Sequence, residues 1–209
     1  MPPRRLRTGI DVLDRKLSGG ITAGSVVALI APPASQAELL LYELTVPRRT
    51  LYLTTERSAE AVRDAFDRTS APTGSPEIRR LDGEAPLDAA NRLVEALPEE
   101  STLIIDPIDA LESQELPRYR RFLNALQTAM VNTDSLAVLH CLDGAAPAKG
   151  RDSTLYMADV VFSLDTRISG ESVENRLAVP KYRGGRALEE TIKLELTERV
   201  LIDTSRDIA

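Results

Sequence analysis

The sequence predicts an α/β domain whose mainly parallel central sheet, flanked by helices, continues into a C-terminal antiparallel β extension. Two observations predict it. Short, almost uniformly apolar runs alternate with amphipathic segments over the first two thirds of the chain, as in parallel strands covered on both faces. In the last third the period falls to two, as in antiparallel strands with one face toward water. The 209 residues contain no internal repeat and no low-complexity linker long enough to divide them, so one domain spanning 1–209 is expected.

The elements follow in order. Ser25-Val-Val-Ala-Leu-Ile30 is the first apolar run, and Thr50-Leu-Tyr-Leu-Thr54 the second. Ser58 is placed to cap a helix that turns Ala61, Val62, Ala65 and Phe66 inward. Thr102-Leu-Ile-Ile-Asp106 and Leu136-Ala-Val-Leu-His140 are further buried strands. Between them Tyr119, Phe122, Leu123, Leu126 and Met130 recur at helical spacing, with Arg118, Arg120 and Arg121 on a solvated face. Asp159 to Leu164, Arg176 to Lys181, Thr191 to Leu196 and Val200 to Ile202 form the extension. In the third of these, Ile192, Leu194 and Leu196 alternate with Lys193 and Glu195, which predicts a half-exposed edge. Ligands of such sheets sit at the carboxyl ends of the parallel strands.

Composition narrows the function classes. The chain carries 32 acidic against 26 basic residues, a net charge of −6, which argues against a general polyanion binder. One cysteine, Cys141, and one histidine, His140, exclude an intrachain disulfide framework and a Cys/His zinc site. No apolar run approaches the roughly 18 residues of a membrane span. The basic start Met1-Pro-Pro-Arg-Arg-Leu-Arg7 is not followed by the apolar run of a signal peptide, so a cytoplasmic protein without membrane contact is expected. Of the basic residues only Lys16, Lys149, Lys181 and Lys193 are lysines.

Four segments carry a resemblance. Arg7-Thr-Gly-Ile-Asp-Val-Leu-Asp14, Leu17-Ser-Gly-Gly-Ile21 and Ala23-Gly-Ser-Val-Val27 together resemble the opening of KaiC-like members of the RecA superfamily, of the archaeal KaiC type. Thr50-Leu-Tyr-Leu-Thr-Thr-Glu56 looks like that family's strand ending in the catalytic glutamate. Leu103-Ile-Ile-Asp106 looks like Walker B, and Arg176-Leu-Ala-Val-Pro-Lys-Tyr-Arg-Gly184 like the late R…K-x-R-G segment. The resemblance covers nearly the whole chain and implies a RecA-like P-loop fold.

It breaks at the phosphate-binding loop. A working loop reads G-x-x-x-x-G-K-S/T: glycines let backbone N–H groups close on the phosphates, lysine neutralises them, and the hydroxyl holds Mg²⁺. Here the aligned stretch is Ala31-Pro-Pro-Ala-Ser-Gln-Ala-Glu38, with Ala37 at the lysine and Glu38 at the hydroxyl, and no glycine occurs between Gly24 and Gly74. Ser35 and Glu38 instead have the S-x-x-E spacing of a capping box that would satisfy the helix start internally. Weak or absent ATP binding and no resident cofactor are therefore expected. ATP and Mg²⁺ enter only under the competing reading, a diverged working loop with Glu38 as a direct Mg²⁺ ligand.

The other candidates each have two readings. By resemblance Glu56 would polarise an attacking water; the reading favoured here is an acid at a strand end beside a helix start, with Arg57 where the family often has a second glutamate. Asp106 would organise Mg²⁺ through water or, without nucleotide, only pair locally. Lys181 and Arg183 fall on one strand face. The resemblance implies that they reach a neighbouring subunit's nucleotide, and the alternative is a solvated pair before the Gly184-Gly185 turn. His140 is expected as a satisfied core residue and Cys141 as a buried small hydrophobe. The loop Asp143 to Asp152 holds just Lys149 and Arg151 against two aspartates and no aromatic, so a solvated loop is expected rather than a DNA site.

The expected function is that of a catalytically degenerate KaiC/RecA-like protein, a pseudo-ATPase acting as a regulatory or assembly subunit. Its partners would be further copies of itself or an active KaiC/RecA-like ATPase. The alternatives are a weak ATPase with an unconventional loop and a recombinase-paralogue-like DNA-repair accessory.

Overall fold

The computed structural model describes residues 3–203. Near the N-terminus β1 (Arg5–Leu6) and β2 (Ile21–Thr22) pair as an antiparallel ribbon around α1 (Asp11–Lys16). The opening motif has a local cause. Asp14 is buried and accepts hydrogen bonds from the Thr8 N–H at 2.7 Å and the Thr8 hydroxyl at 2.8 Å, closing the turn before α1. Gly20 sits at φ +117°, and a Cβ there would lie 2.2 Å from the Leu6 carbonyl oxygen, so only glycine lets the two ribbon strands approach.

β3 (Val26–Ala31) leads through a short loop into α2 (Ala37–Leu44), then β4 (Thr50–Thr54), α3 (Ala59–Arg68), β5 (Glu77–Arg80), α4 (Pro86–Glu95) and β6 (Thr102–Asp106). α5 (Asp109–Glu112), α6 (Leu116–Asn132), β7 (Leu136–Leu142) and α7 (Arg151–Met157) follow. The chain then runs through β8 (Val160–Ser169), β9 (Ser172–Tyr182), β10 (Ile192–Leu196) and β11 (Val200–Ile202). One sheet of nine strands has the order β11-β10-β9-β8-β3-β7-β6-β4-β5. From β8 to β5 all pairings are parallel, and the three that add β9, β10 and β11 are antiparallel. The fold class read from the sequence is the one observed.

Strand alternation divides the core in two. Leu29, Tyr52, Ile104 and Val138 pack against Leu40, Val62 and Phe66 of α2 and α3. On the other face Ala28, Leu53, Ile105 and Leu139 pack against α4 and α6, where Tyr119, Phe122, Leu123, Leu126 and Met130 are the buried residues of α6. Ser58 caps α3, accepting from the Ala61 N–H at 3.1 Å.

Several details differ from the sequence expectation. Ala61 is exposed, and Val62 and Phe66 alone are fully buried on α3, because their neighbours point along the helix flanks. The outer edge of the extension is β11 rather than β10. β5 was not anticipated: only Ile78 of Glu77-Ile-Arg-Arg80 is buried, too little apolar signal for a strand. Among the described residues no helix is long and apolar enough to cross a membrane.

Candidate functional site

The loop after β3, the bend after β4 and the ends of β6 and β7 meet at the carboxyl edge of the parallel strands. This brings Ser35, Glu38, Glu56 and Asp106 to one edge. Lys181 and Arg183 lie at the other.

The predicted capping box does not form. Gln36, not Ser35, occupies the N-cap of α2, and no side chain caps that helix. The Ser35 hydroxyl donates instead to the Pro32 carbonyl at 2.7 Å, and its N–H reaches the same oxygen at 3.1 Å. Pro32 and Pro33 commit the backbone to a tight turn, so the helix begins one residue too late for the box. Glu38 is thereby released to pair with Arg57 at 3.4 Å, both side chains being half exposed. Ala37, where the loop lysine would stand, is 3% exposed and part of the apolar core. Glu56 is exposed and has no hydrogen bond or ion pair among the described residues.

Both carboxylate oxygens of Asp106 have protein partners. One carboxylate oxygen lies 2.5 Å from His140 Nδ1, and the other accepts from the Tyr52 hydroxyl at 2.5 Å. Burial is the largest single influence on Asp106 and would raise its pKa; the bond and charge of His140, the Tyr52 bond and the Arg57 charge together outweigh it and hold the value below normal. Burial first, then the Asp106 charge, push the Tyr52 phenol well up, which keeps it a neutral donor. The expectation of a satisfied core histidine holds for Nδ1 and fails for Nε2, which is buried without a partner among the described residues. Cys141 is buried as expected, with its thiol pKa raised by desolvation.

A cleft of about 490 Å³ separates the loop residues Ala34 to Gln36 from the extension, with Ile168, Val173 and Leu194 on its far wall. Its charged lining residues, Glu195 and Asp203, are acidic. Among the described residues no group of three or more His, Cys, Asp or Glu is arranged to hold a metal ion.

The opposite edge is basic. Val160 on β8 is level with Val27 of β3 and with Tyr182 of β9, which puts Lys181 and Arg183 at the amino ends of the parallel strands. At about 3.3 Å per residue, the length of β3 alone keeps them on the order of 15 Å from the loop. As strand alternation predicts, they share a face. Lys181 Nζ donates to the Leu155 and Tyr156 carbonyls at 2.7 and 2.8 Å. Arg183 donates to the Tyr156 and Met157 carbonyls at 2.6 and 3.4 Å. These are the last carbonyls of α7, the negative end of its dipole. Both cations also lie over the Tyr156 ring, 5.9 and 5.8 Å from its centroid. Desolvation, followed by the Arg183 charge, lowers the Lys181 pKa. Tyr156 was not read from the sequence as part of this cluster, since a lone exposed aromatic in a polar helix carries no periodic signal.

The loop after β7 also differs from expectation. Arg151 is not a solvated loop cation: it is 7% exposed, donates through Nε to both Glu112 oxygens at 3.0 Å, and reaches Asp109 at 2.8 Å. Thr154 adds a bond to Glu112 and meets the Tyr119 hydroxyl at 2.6 Å. Lys149 is left as the exposed cation of that loop. On α6, Arg118 pairs with Asp88 at 3.0 Å and Arg120 donates to Ser153 at 3.2 Å, so that helix face is partly bridged to its neighbours.

Comparison with known proteins agrees with this architecture. A KaiC-like protein from Pyrococcus horikoshii superposes with a TM-score of 0.74 at 17% identity, covering 97% of this chain and all of the other. The flagellar accessory protein FlaH from Methanocaldococcus jannaschii gives 0.73 at 13% identity, with the same coverage. The fold is thus RecA-like and of KaiC type. In sequence the chain is 30% identical over 175 residues to the DNA repair protein RadA of Mycobacterium tuberculosis, and 31% identical over 118 residues to that of Mycolicibacterium smegmatis. The first match covers 76% of this chain and 35% of the relative, so the chain spans about a third of that protein's length. A family described as of unknown function, DUF7125, matches residues 5–209, and the chain belongs to it.

Proposed function

We propose that this protein is a RecA-like subunit that has given up its own nucleotide site and acts on a partner through protein contacts, as a regulatory or assembly subunit. The observation that carries the reading is the Glu38–Arg57 ion pair beside a buried Ala37. A triphosphate there would meet a carboxylate where it needs a hydroxyl and a methyl group where it needs a cation. Losing one charge-assisted contact costs about 1.5–3 kcal/mol, and Arg57, committed to Glu38, is not equivalent to the compact lysine charge. Asp106 already spends a bond of each oxygen on His140 and Tyr52, and these compete with organising a hydrated Mg²⁺.

The partner in this reading is a RecA-type ATPase with an intact loop. The support is the separation of the two edges: Lys181 and Arg183 are too far from the chain's own loop to serve it, and an anion that meets them comes from another molecule. Affinity purification from the native organism should recover such an ATPase. Lys181→Ala and Arg183→Ala are then expected to lower its hydrolysis rate by about a thousandfold, the low end of what a trans-acting arginine supplies. Because both residues also cap α7, thermal unfolding and complex formation are measured alongside. An unchanged rate in an intact complex rejects the trans role, and steady-state hydrolysis by the isolated chain that disappears in Glu56→Gln favours the weak-ATPase reading.

The name of the RadA relatives favours a second reading, a DNA-repair accessory. With Arg151 buried, Lys149 is the cation that loop offers to DNA. Salt-sensitive single-strand binding that falls in Lys149→Ala would support that reading.

A further inference from the structure

We propose that Glu43 is a pH-sensitive latch, holding the outermost strand β11 against helix α2 while its carboxyl is protonated and loosening it when the carboxyl ionises. Glu43 is 2% exposed and is the single charged side chain among the buried residues of α2. Its Oε1 accepts from the Val200 N–H at 2.6 Å, joining the helix to the first residue of a strand far along the chain. The bond covers the outer edge of the sheet. Val200 turns its N–H to the helix, whereas the Asp203 N–H donates inward to the Lys193 carbonyl of β10 at 3.0 Å.

The strand it holds is one that opens readily. β11 has three residues and pairs with β10 alone. Val200 is its buried residue, while Leu201 and Ile202 are 42% and 39% exposed. A strand with one buried side chain and one neighbour opens locally before the core does, because little apolar surface is returned to water. The contact with α2 therefore carries weight in keeping β11 closed. An uncharged acceptor would hold the Val200 N–H equally at every pH; a buried carboxyl makes the contact conditional, since burying its charge is costly and burying its neutral form is not.

The charges around Glu43 do not cancel that cost. Burial is the largest influence and raises its pKa; the Val200 bond and the Arg199 charge oppose it, the Asp11 charge adds to it, and the net shift is upward. Arg199, in the turn before β11, and Asp11, at the start of α1, are both exposed, so their charges are screened by water. The other charged groups of these elements are engaged or solvated: Asp203 pairs with Lys193, Glu38 with Arg57, and Glu195 and Glu198 are exposed. With the folded value raised, the latch contributes fully below about pH 4.3, the unfolded glutamate value, and is lost as pH rises through the folded value. It draws on neither the degenerate loop nor a partner, so it stands or falls apart from the function proposed above.

Residue-resolved hydrogen exchange, expressed as protection factors so that the intrinsic pH dependence drops out, tests the proposal on the purified chain. In wild type the protection of Val200 is expected to fall between about pH 4.3 and neutrality, by about tenfold for each pH unit that separates the folded from the unfolded value. The amides of β6 should not share that step. Glu43→Gln keeps the acceptor and removes the charge, so its Val200 protection should show no such fall and should exceed that of wild type at neutrality. Val200 protection that is flat in wild type, or that falls equally in Glu43→Gln, overturns the proposal. If Glu43→Gln does not fold, wild type alone decides by nuclear magnetic resonance. The Glu43 carboxyl and the Val200 amide should then titrate with one midpoint above about pH 4.3; a Val200 amide that does not follow Glu43, or a midpoint at or below that value, overturns it equally.

Discussion

Arg151→Met is expected to lower folding stability by about 3–5 kcal/mol, the cost of breaking a buried ion pair by removing one partner. Glu112 is completely buried, and the Arg151 guanidinium bonds both its carboxylate oxygens as well as Asp109 and the Leu142 carbonyl. Methionine preserves most of the volume and removes the charge, leaving Glu112 with only the Thr154 hydroxyl. Denaturant unfolding measures the loss. The double variant Arg151→Met with Glu112→Leu should recover most of it, since replacing both members of a buried pair with apolar residues is often neutral. A single-variant loss under about 1 kcal/mol, the range of exposed pairs, would show that the Arg151–Glu112 pair does not act as a buried ion pair.

Asp106→Ala is expected to cost about 3 kcal/mol or more, without nucleotide present. Two bonds to a charged acceptor are lost, each contributing about 1.5–3 kcal/mol, and His140 and the Tyr52 hydroxyl are left buried without that acceptor. The pH dependence has a definite sign. The folded Asp106 pKa lies below its ordinary value, so its contribution is fully present above about pH 4, the unfolded carboxyl value. It is lost as pH falls through the folded value. The stability gap between wild type and Asp106→Ala should therefore narrow on acidification below about pH 4. A near-zero gap at neutral pH would return Asp106 to the metal-organising role that the resemblance implies.

The sheet was legible because buried parallel strands concentrate their signal: β4 and β6 begin and end at the residues where their apolar runs begin and end. Helix α6 was legible for a related reason, since its five buried residues form the complete inward stripe. β5 was not, because an edge strand with one buried residue has nothing periodic to show. The site was legible in its vacancies and misread in its bonds. Ala37 and Glu38 can be read as the absence of a lysine and a hydroxyl from spacing alone. Which partner Glu38 takes depends on where the turn through Pro32 and Pro33 lets α2 begin, and on Arg57, nineteen residues away in the chain. Arg151 was misread for the same reason. A charged residue in a polar loop carries no mark of burial until Glu112, far away in sequence, is brought beneath it. Lys181 and Arg183 were correctly placed on a common face, whereas their attachment to the last carbonyls of α7 needed the three-dimensional fold.

Calorimetric titration of the purified protein with MgATP tests the loss of the nucleotide site most directly. No saturable heat is expected at any accessible ATP concentration. Saturable binding in the micromolar range, weakened in Glu38→Ala, would contradict it, because Glu38 would then be holding the metal rather than pairing with Arg57.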